Sequence, residues 1–248
     1  MNKKIFPLAI SVILTGILSQ PAEARFEWLK KKANEFGNTG LESLQETKLS
    51  DTKIGLGLKD LLKQGITSAV EKTGKKDGYF NNELIKIEMP EKLRIIDRGL
   101  RMVGFGAQLD EFILSMNRSA EAAAPKALDI FLDGIFNMNF DDARKIYKGG
   151  DTAATNFLKQ TTLEDLKKAF RPIVDKSLNQ YGVTGQYKNL LKKYKTIPFS
   201  KNFNVPEIDE YVIDQAINGL FAILAQEETK IRTNSGSRTT GLLKELFP

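Results

Sequence analysis

The chain has 248 residues and a formal net charge of +6 at pH 7, and it contains no cysteine and no histidine. These absences exclude disulfides, thiolate nucleophiles and cysteine-ligated zinc, as well as serine–histidine–aspartate triads and imidazole metal ligands. Any catalysis would have to use carboxylates, lysine, tyrosine or aliphatic hydroxyls. Apolar residues make up 41% of the chain and charged residues 27%, which is typical of a folded domain with a proper core.

The N-terminal residues have the pattern of a secretory signal peptide. Lys3 and Lys4 precede an apolar run from Ile5 to Leu18, which is too short for a comfortable membrane span. The segment Ala22 to Ala24 has the small-x-small pattern of a cleavage site. We therefore expect residues 1–24 to be a signal peptide that is cleaved after Ala24, and the protein to be periplasmic; a membrane anchor is the alternative. No nucleic-acid partner is expected in that compartment, and no later segment predicts a transmembrane helix.

The domain that follows is predicted to begin near residue 49. Residues 25–48 are basic and then polar, and we interpret them as an N-terminal segment or linker. Ser50 is the predicted N-cap of the first helix, whose apolar stripe runs from Ile54 to Val70. Residues 84–89 alternate apolar and polar side chains, so at most one short extended segment is expected there.

Helical periodicity then continues almost without interruption to the C-terminus. Breaks are predicted at Gly104 to Gly106, at Pro125, at Gly149 and just before Thr162, which has capping-box-like spacing to an aspartate. About nine helices are expected in one compact all-α domain over residues 49–248.

Several polar side chains fall on or beside the predicted apolar stripes. Asn117 lies within a stripe and Glu121 at its edge, and on the last long helix Glu227 lies within the stripe and Glu228 near its edge. A carboxylate in such a position must form ion pairs or hydrogen bonds, or else be protonated. The predicted buried polar network consists of Asn117, Arg118, Glu121, Arg171, Glu227, Glu228, Arg232 and Arg238.

Three interpretations of this network remain open. In the first, Glu227 is ion-paired in the core, with Arg118 as the first expected partner and Arg171 or Arg238 as alternatives. Asn117 would then satisfy backbone groups at a helix end. In the second, Glu227 lies in a pocket and acts as a general acid or base on an envelope polymer, glycan or peptide. The third is ligand binding without chemistry.

The acidic residues near predicted helix starts do not form a metal motif. Asp141, Asp142 and Asp151 each lie where a helix N-terminus favours a carboxylate, and Asn139 is a predicted N-cap. Their spacing is not that of an EF-hand loop. We expect no metal and no cofactor.

A series of short segments has a specific order along the chain. They are Asp77 to Tyr79, Met89 to Leu93, Met116 to Ala123, Asp141 to Ala143, Gly150 to Thr155, Phe170 to Pro172, Gly219 to Phe221, Glu227 to Glu228, Ile231 to Arg232 and Arg238 to Thr240. With them the chain resembles, from about Leu49 to Pro248, a bacterial family known as domain of unknown function 4197. The resemblance implies an exported helical protein and supplies no activity. It also implies that some relatives carry a lipoprotein-type cysteine, and because this chain has none, no such lipid anchor is expected.

Two functional hypotheses follow. The first is an exported non-enzymatic protein that binds an envelope component or a partner protein, and the positive charge favours an anionic component. The second is a carboxylate-dependent hydrolase or lyase that acts on an envelope polymer. A cleft that holds two carboxylates without a neutralising arginine would favour the enzyme, whereas a filled core with an ion-paired Glu227 would favour the binding protein.

Overall fold

The computed structural model describes residues 50–180 and 207–247, together with Gly182 and Gly185. Its α-helices are α1 (Asp51–Gly74), α2 (Arg94–Met102), α3 (Gly106–Ala123), α4 (Ala127–Phe136), α5 (Phe140–Lys148), α6 (Ala153–Gln180), α7 (Ile208–Thr233) and α8 (Gly241–Leu246). Short 3₁₀ turns occur at Glu91–Leu93, Ala124–Lys126 and Ser235–Ser237. These ranges contain no strand, so the all-α prediction is confirmed, with fewer helices than the roughly nine expected.

Helix α1 lies at the centre of the domain and packs against α3, α4, α5, α7 and α8. It begins as predicted, because the Ser50 side chain accepts a hydrogen bond from the Lys53 N–H at 3.3 Å. A glycine on its surface lets α8 approach closely: a Cβ added at Gly57 would lie 2.9 Å from Leu246 Cδ2. Its fully buried stripe is Leu58, Leu61, Leu62, Ile66 and Ala69.

The two longest helices, α6 and α7, pack against each other. Phe221 of α7 also meets Phe131 of α4 edge to face, with ring centroids 5.5 Å apart. Both helices carry charged residues on their outer faces. Within residues 50–180 and 207–247, no helix is long and apolar enough to cross a membrane.

The predicted helix break before Thr162 is wrong, because α6 runs without interruption from Ala153 to Gln180. The Thr162 hydroxyl donates to the Leu158 carbonyl of the preceding turn at 2.7 Å, so it is satisfied inside a helix and caps nothing. By contrast, the break at Gly104 is confirmed by its φ of 92°, and Pro125 lies in a 3₁₀ turn.

The segment at residues 84–89 shows the predicted alternation in burial but no strand. Ile85, Ile87 and Met89 are buried, whereas Leu84 and Glu88 are exposed. Its backbone is hydrogen-bonded to a side chain of α3, as described below. The period-two pattern therefore indicates a segment that is buried on one side without a neighbouring strand.

Candidate functional site

The carboxylate of Glu121, on α3, is the centre of a buried ion-pair cluster. Its Oε1 accepts hydrogen bonds from the backbone N–H groups of Tyr79 and Phe80, at 3.1 and 3.2 Å. Its Oε2 lies 2.5 Å from Nη1 of Arg118. The second guanidinium nitrogen of Arg118 lies 2.6 Å from Oδ1 of Asp77. The Glu121 charge is therefore neutralised in place, as a buried carboxylate requires.

Asn117, one residue before Arg118, satisfies the backbone of the extended segment. Its Oδ1 accepts from the Ile87 N–H at 2.8 Å, and its Nδ2 donates to the Ile87 carbonyl at 2.9 Å. The same Nδ2 also donates to the Ile113 carbonyl at 2.8 Å. Asn117 is buried as predicted, but its partner is this segment and not a helix end.

Tyr79 anchors the loop after α1. Its side chain is fully buried and its hydroxyl donates to the Ala216 carbonyl at 2.6 Å; burial raises the pKa of the phenol. The preceding Gly78 has no room for a side chain, since a Cβ there would lie 2.4 Å from the Lys72 carbonyl oxygen. A Cβ at Gly219 would lie 2.7 Å from the Tyr79 ring. Gly78 thus lets the loop lie against the last carbonyls of α1, and Gly219 lets α7 approach the Tyr79 ring.

Glu228, on α7, forms a second buried cluster. Its Oε1 lies 2.8 Å from Nε of Arg232 and accepts from the Ala154 N–H at 2.9 Å. Its Oε2 accepts from both the N–H and the hydroxyl of Thr155, each at 2.7 Å. Because Ala154 and Thr155 belong to the first turn of α6, the carboxylate caps that helix at the positive end of its dipole. Glu228 is buried, as expected for a member of the predicted buried polar network, although the sequence places it near the edge of the apolar stripe.

Glu227 forms a third pair, with a lysine and a hydroxyl donor instead of one of the three arginines expected. Its Oε1 is bound by the Lys72 ammonium, and its Oε2 accepts from the Ser68 hydroxyl at 3.0 Å. Arg118, the expected partner, belongs to the Glu121 cluster, so that prediction is wrong. The reason is that α1 covers this face of α7: a Cβ at Gly65 would lie 3.8 Å from Glu227 Cβ. Burial would raise the pKa of Glu227, but Lys72 and Ser68 outweigh it and hold the pKa below its ordinary value.

The two alternative partners also lie elsewhere. Arg171 is at the surface, where its guanidinium nitrogens lie 3.4 Å from carboxylate oxygens of Asp209 and Glu210. Arg238 is buried and donates to the Arg232 carbonyl at 2.8 Å, where it closes the C-terminal turn of α7. The predicted residues therefore divide into separate clusters instead of one network.

An open cleft of about 490 Å³ lies between α4 and α6. Its lining is Ile130, Asp133, Gly134, Asn137, Asp142, Phe157, Thr161, Thr162 and Asp165, which includes no arginine or lysine. Asp142 already forms a capping box with Asn139, and Asp165 lies 3.1 Å from Lys168. Within the described ranges, no group of three or more carboxylates is placed to hold a metal ion.

The turn between α2 and α3 exposes large apolar side chains to water. We call Met102, Val103, Gly104 and Phe105 the α2–α3 tip; its three side chains are 82%, 68% and 37% exposed in chain order. Helix α2 packs against α3 and the 3₁₀ turn before it. The sequence predicts a helix break at this turn but not its exposure. Val103 continues the helical spacing of Leu93, Ile96 and Leu100, which predicts a buried stripe, and the structure leaves Val103 exposed.

Segments that carry the family resemblance meet in space. Asp77 to Tyr79 is hydrogen-bonded to Met116 to Ala123 through Glu121 and Arg118, and Gly150 to Thr155 is hydrogen-bonded to Glu227 to Glu228. These contacts join helices that are distant along the chain. The motifs therefore coincide with the connections that hold the domain together.

Comparison with known proteins gives a family without an activity. A family model described as Protein of unknown function (DUF4197) matches residues 48–248, a range that includes all of α1 to α8. No curated protein and no solved structure matches the chain. The segments that carry the resemblance, the all-α fold that joins them and the extent of this match agree, and the chain belongs to the DUF4197 family.

Proposed function

We propose that this chain is an exported, non-enzymatic bacterial protein that binds an envelope component or a partner protein. The observation that carries the proposal is the exposure of the α2–α3 tip, where Met102 and Val103 lie mostly in water. Contiguous exposed apolar side chains mark interaction sites, since leaving them in water has a cost in free energy. The buried carboxylates of Glu121, Glu227 and Glu228, by contrast, are already bound by cations.

The buried carboxylates support binding over catalysis. Glu121, Glu227 and Glu228 each contact a cation and at least one further hydrogen-bond donor. A carboxylate in that state would have to break an ion pair before it could take a proton from a substrate. This is the filled core with an ion-paired Glu227 that favours the binding protein.

Export is tested by the N-terminus of the protein that accumulates outside the cytoplasm. Mass spectrometry of that protein, expressed from the full chain, is expected to give Arg25 as the first residue, because Ala22 to Ala24 is the predicted cleavage site. An intact N-terminus in the membrane fraction would contradict the periplasmic assignment. A cytoplasmic protein with Met1 retained would contradict export altogether.

Binding is tested by site-specific cross-linking in intact envelopes. A photo-activatable residue at position 102 is expected to give a discrete cross-linked product, which mass spectrometry can identify. The control carries the same residue at Glu71, which is exposed on α1 and outside the α2–α3 tip. Equal labelling at both positions, or none at either, would count against a binding role for the tip.

The acidic cleft between α4 and α6 favours a second candidate, a carboxylate-dependent hydrolase or lyase. Its lining combines Asp133, Asp142 and Asp165 with the apolar side chains of Ile130 and Phe157, and no basic residue lines it. The test is release of soluble fragments from isolated envelope polymer by the purified chain. Release that is abolished in Asp133→Asn would establish the enzyme, whereas the binding protein is expected to release nothing.

A further inference from the structure

We infer that the α2–α3 tip inserts into the surface of a bilayer that contains anionic phospholipid. This inference rests on the proposed function and names the envelope component. The tip presents Met102, Val103 and Phe105 at the end of a helical pair, with Gly104 at the turn. Short apolar groups that reach the boundary between headgroups and acyl chains gain free energy there without crossing the bilayer.

The shape of the tip favours a bilayer over a protein. A stable protein interface buries about 800 Å² on each partner and needs a complementary surface. Three side chains at a convex turn offer much less area than that. A bilayer needs no complementary pocket, because lipids rearrange around whatever enters them. A second copy of the chain fails the same area requirement, since two such tips would bury little apolar surface.

The charges on α2 complement anionic headgroups. Arg94, Arg98 and Met102 follow one another at intervals of about one turn, so they share a face of the helix. Both arginines are exposed; Arg94 lies 3.7 Å from Glu91, and Arg98 makes no ion pair with any residue of the described ranges. Basic side chains beside an inserted apolar group attract phosphate headgroups.

Two carboxylates near the tip, those of Asp97 and Asp110, are both paired with Arg101. Asp97 lies 3.1 Å from Arg101 Nε, and Asp110 lies 2.7 Å from its Nη2. Arg101 offsets one of these two negative charges, and Arg98 remains to act on anionic headgroups from the helix face that also carries Met102. The tip therefore combines an apolar end with an exposed arginine about one turn away.

Three backbone N–H groups of the tip are already hydrogen-bonded within the turn. The Val103 N–H donates to the Leu100 carbonyl at 3.2 Å, and the Phe105 N–H donates to the same carbonyl at 2.9 Å. The Gly104 N–H donates to the Arg101 carbonyl at 3.2 Å. These hydrogen bonds do not depend on water. Insertion into a bilayer would therefore leave these three N–H groups satisfied.

Vesicle sedimentation tests the inference with matched variants of the full chain. The vesicles contain phosphatidylcholine alone or with about 25% phosphatidylglycerol, the anionic component. Replacing both Met102 and Val103 by serine is expected to weaken binding to the anionic vesicles about tenfold or more. Leu84→Ser, which removes a side chain that is 57% exposed outside the tip, should leave binding unchanged. All variants share the same N-terminal residues, so a difference among them belongs to the tip.

Two further measurements separate charge from insertion. Arg98→Gln is expected to weaken binding to the anionic vesicles several-fold and to leave binding to phosphatidylcholine alone unchanged. A Trp28→Phe/Met102→Trp variant places the only tryptophan at the tip. Its emission should move to shorter wavelength on anionic vesicles and be quenched by lipids brominated near the headgroup end of the chains.

The results that overturn the inference are distinct. Unchanged vesicle binding by the double serine variant would show that the tip does not contact lipid. Self-association that the double serine variant loses, without vesicle binding by the parent chain, would assign the tip to a second copy. A protein product cross-linked at position 102, again without vesicle binding, would retain the proposed function and reject the lipid. No product and no vesicle binding would reject both.

Discussion

Glu228 of α7 and Thr155 of α6 are joined by two hydrogen bonds to a single oxygen. The Oε2 of Glu228 accepts from the Thr155 N–H and from the Thr155 hydroxyl, each at 2.7 Å. The other oxygen is bound by Arg232. The carboxylate thus replaces water at the N-terminus of α6 and fixes where that helix starts relative to α7.

Glu228→Gln is expected to lower the free energy of unfolding by about 3–5 kcal/mol, because it leaves the buried Arg232 without a charged partner. Urea unfolding followed by circular dichroism measures the change. Glu245→Gln, which breaks an exposed ion pair with Lys53, is the matched control and should cost less than about 1 kcal/mol. A loss for Glu228→Gln no larger than the control's would contradict a structural role.

Glu121→Gln is expected to cost less, about 2–4 kcal/mol, because Arg118 retains Asp77 as a charged partner at 2.6 Å. The glutamine can still accept from the Tyr79 and Phe80 N–H groups through its carbonyl oxygen. The same urea experiment applies, with Asp110→Asn at the surface as the control. A neutral or stabilising effect would indicate that the carboxylate is kept for a purpose other than stability.

Glu227→Gln should be the mildest of the three, at about 0.5–1.5 kcal/mol, since the Lys72 side chain is 48% exposed and water screens the pair. The change in the urea midpoint at neutral pH measures it. A loss as large as that of Glu228→Gln would mean that Lys72 is far less solvated than its exposure indicates.

The contribution of Glu227 is also expected to depend on pH. The folded state holds its pKa below the ordinary value of 4.5, so the unfolded chain binds the proton more readily. The stabilisation is therefore fully present above that value and is lost as the pH falls through the folded pKa. Unfolding of the parent chain and of Glu227→Gln between pH 7 and pH 3 measures it, and the gap should close on acidification. A gap that widens would mean that the pKa is raised.

Gly78→Ala is expected to destabilise the domain by about 2 kcal/mol or more, since the new Cβ meets backbone oxygen of Lys72 that cannot move aside cheaply. Gly99→Ala is the control, because a Cβ there has no neighbour within 4 Å and the residue lies inside α2. It should stabilise the protein by about 0.5–1 kcal/mol through helix propensity. Thermal unfolding of both variants provides the test, and equal effects would contradict it.

Local sequence patterns predict the caps and the first helix break correctly. The caps at Ser50 and Asn139 and the break at Gly104 depend on residues within a few positions of each other, so a short pattern suffices to predict them. The burial of Ile85, Ile87 and Met89 was likewise implied by period-two alternation.

Non-local geometry accounts for the errors. The apolar stripe of α7 predicted one buried face, but α7 packs against α1 and α6 on different sides, so its buried arc is wider than the stripe. Glu228, displaced by about 100° from Glu227 around the helix axis, consequently lies deeper than its neighbour. The partner of Glu227 depends on which helix covers it, and periodicity within one helix contains no such information. The pattern at Thr162 predicts a cap incorrectly, because a threonine hydroxyl can also donate to a carbonyl of the preceding turn inside a helix.

The central position of α1 has a consequence for the order of synthesis. The ribosome completes α1 before any of its partners exists, and α7 and α8 are made last. Until then α1 can pack against α3, α4 and α5, but the side of α1 that α7 and α8 cover stays open to chaperones and proteases. The packing around α1 is therefore complete only when α8 has been made. A chain that stops before α8 leaves α1 exposed on the side where Leu246 packs against Gly57.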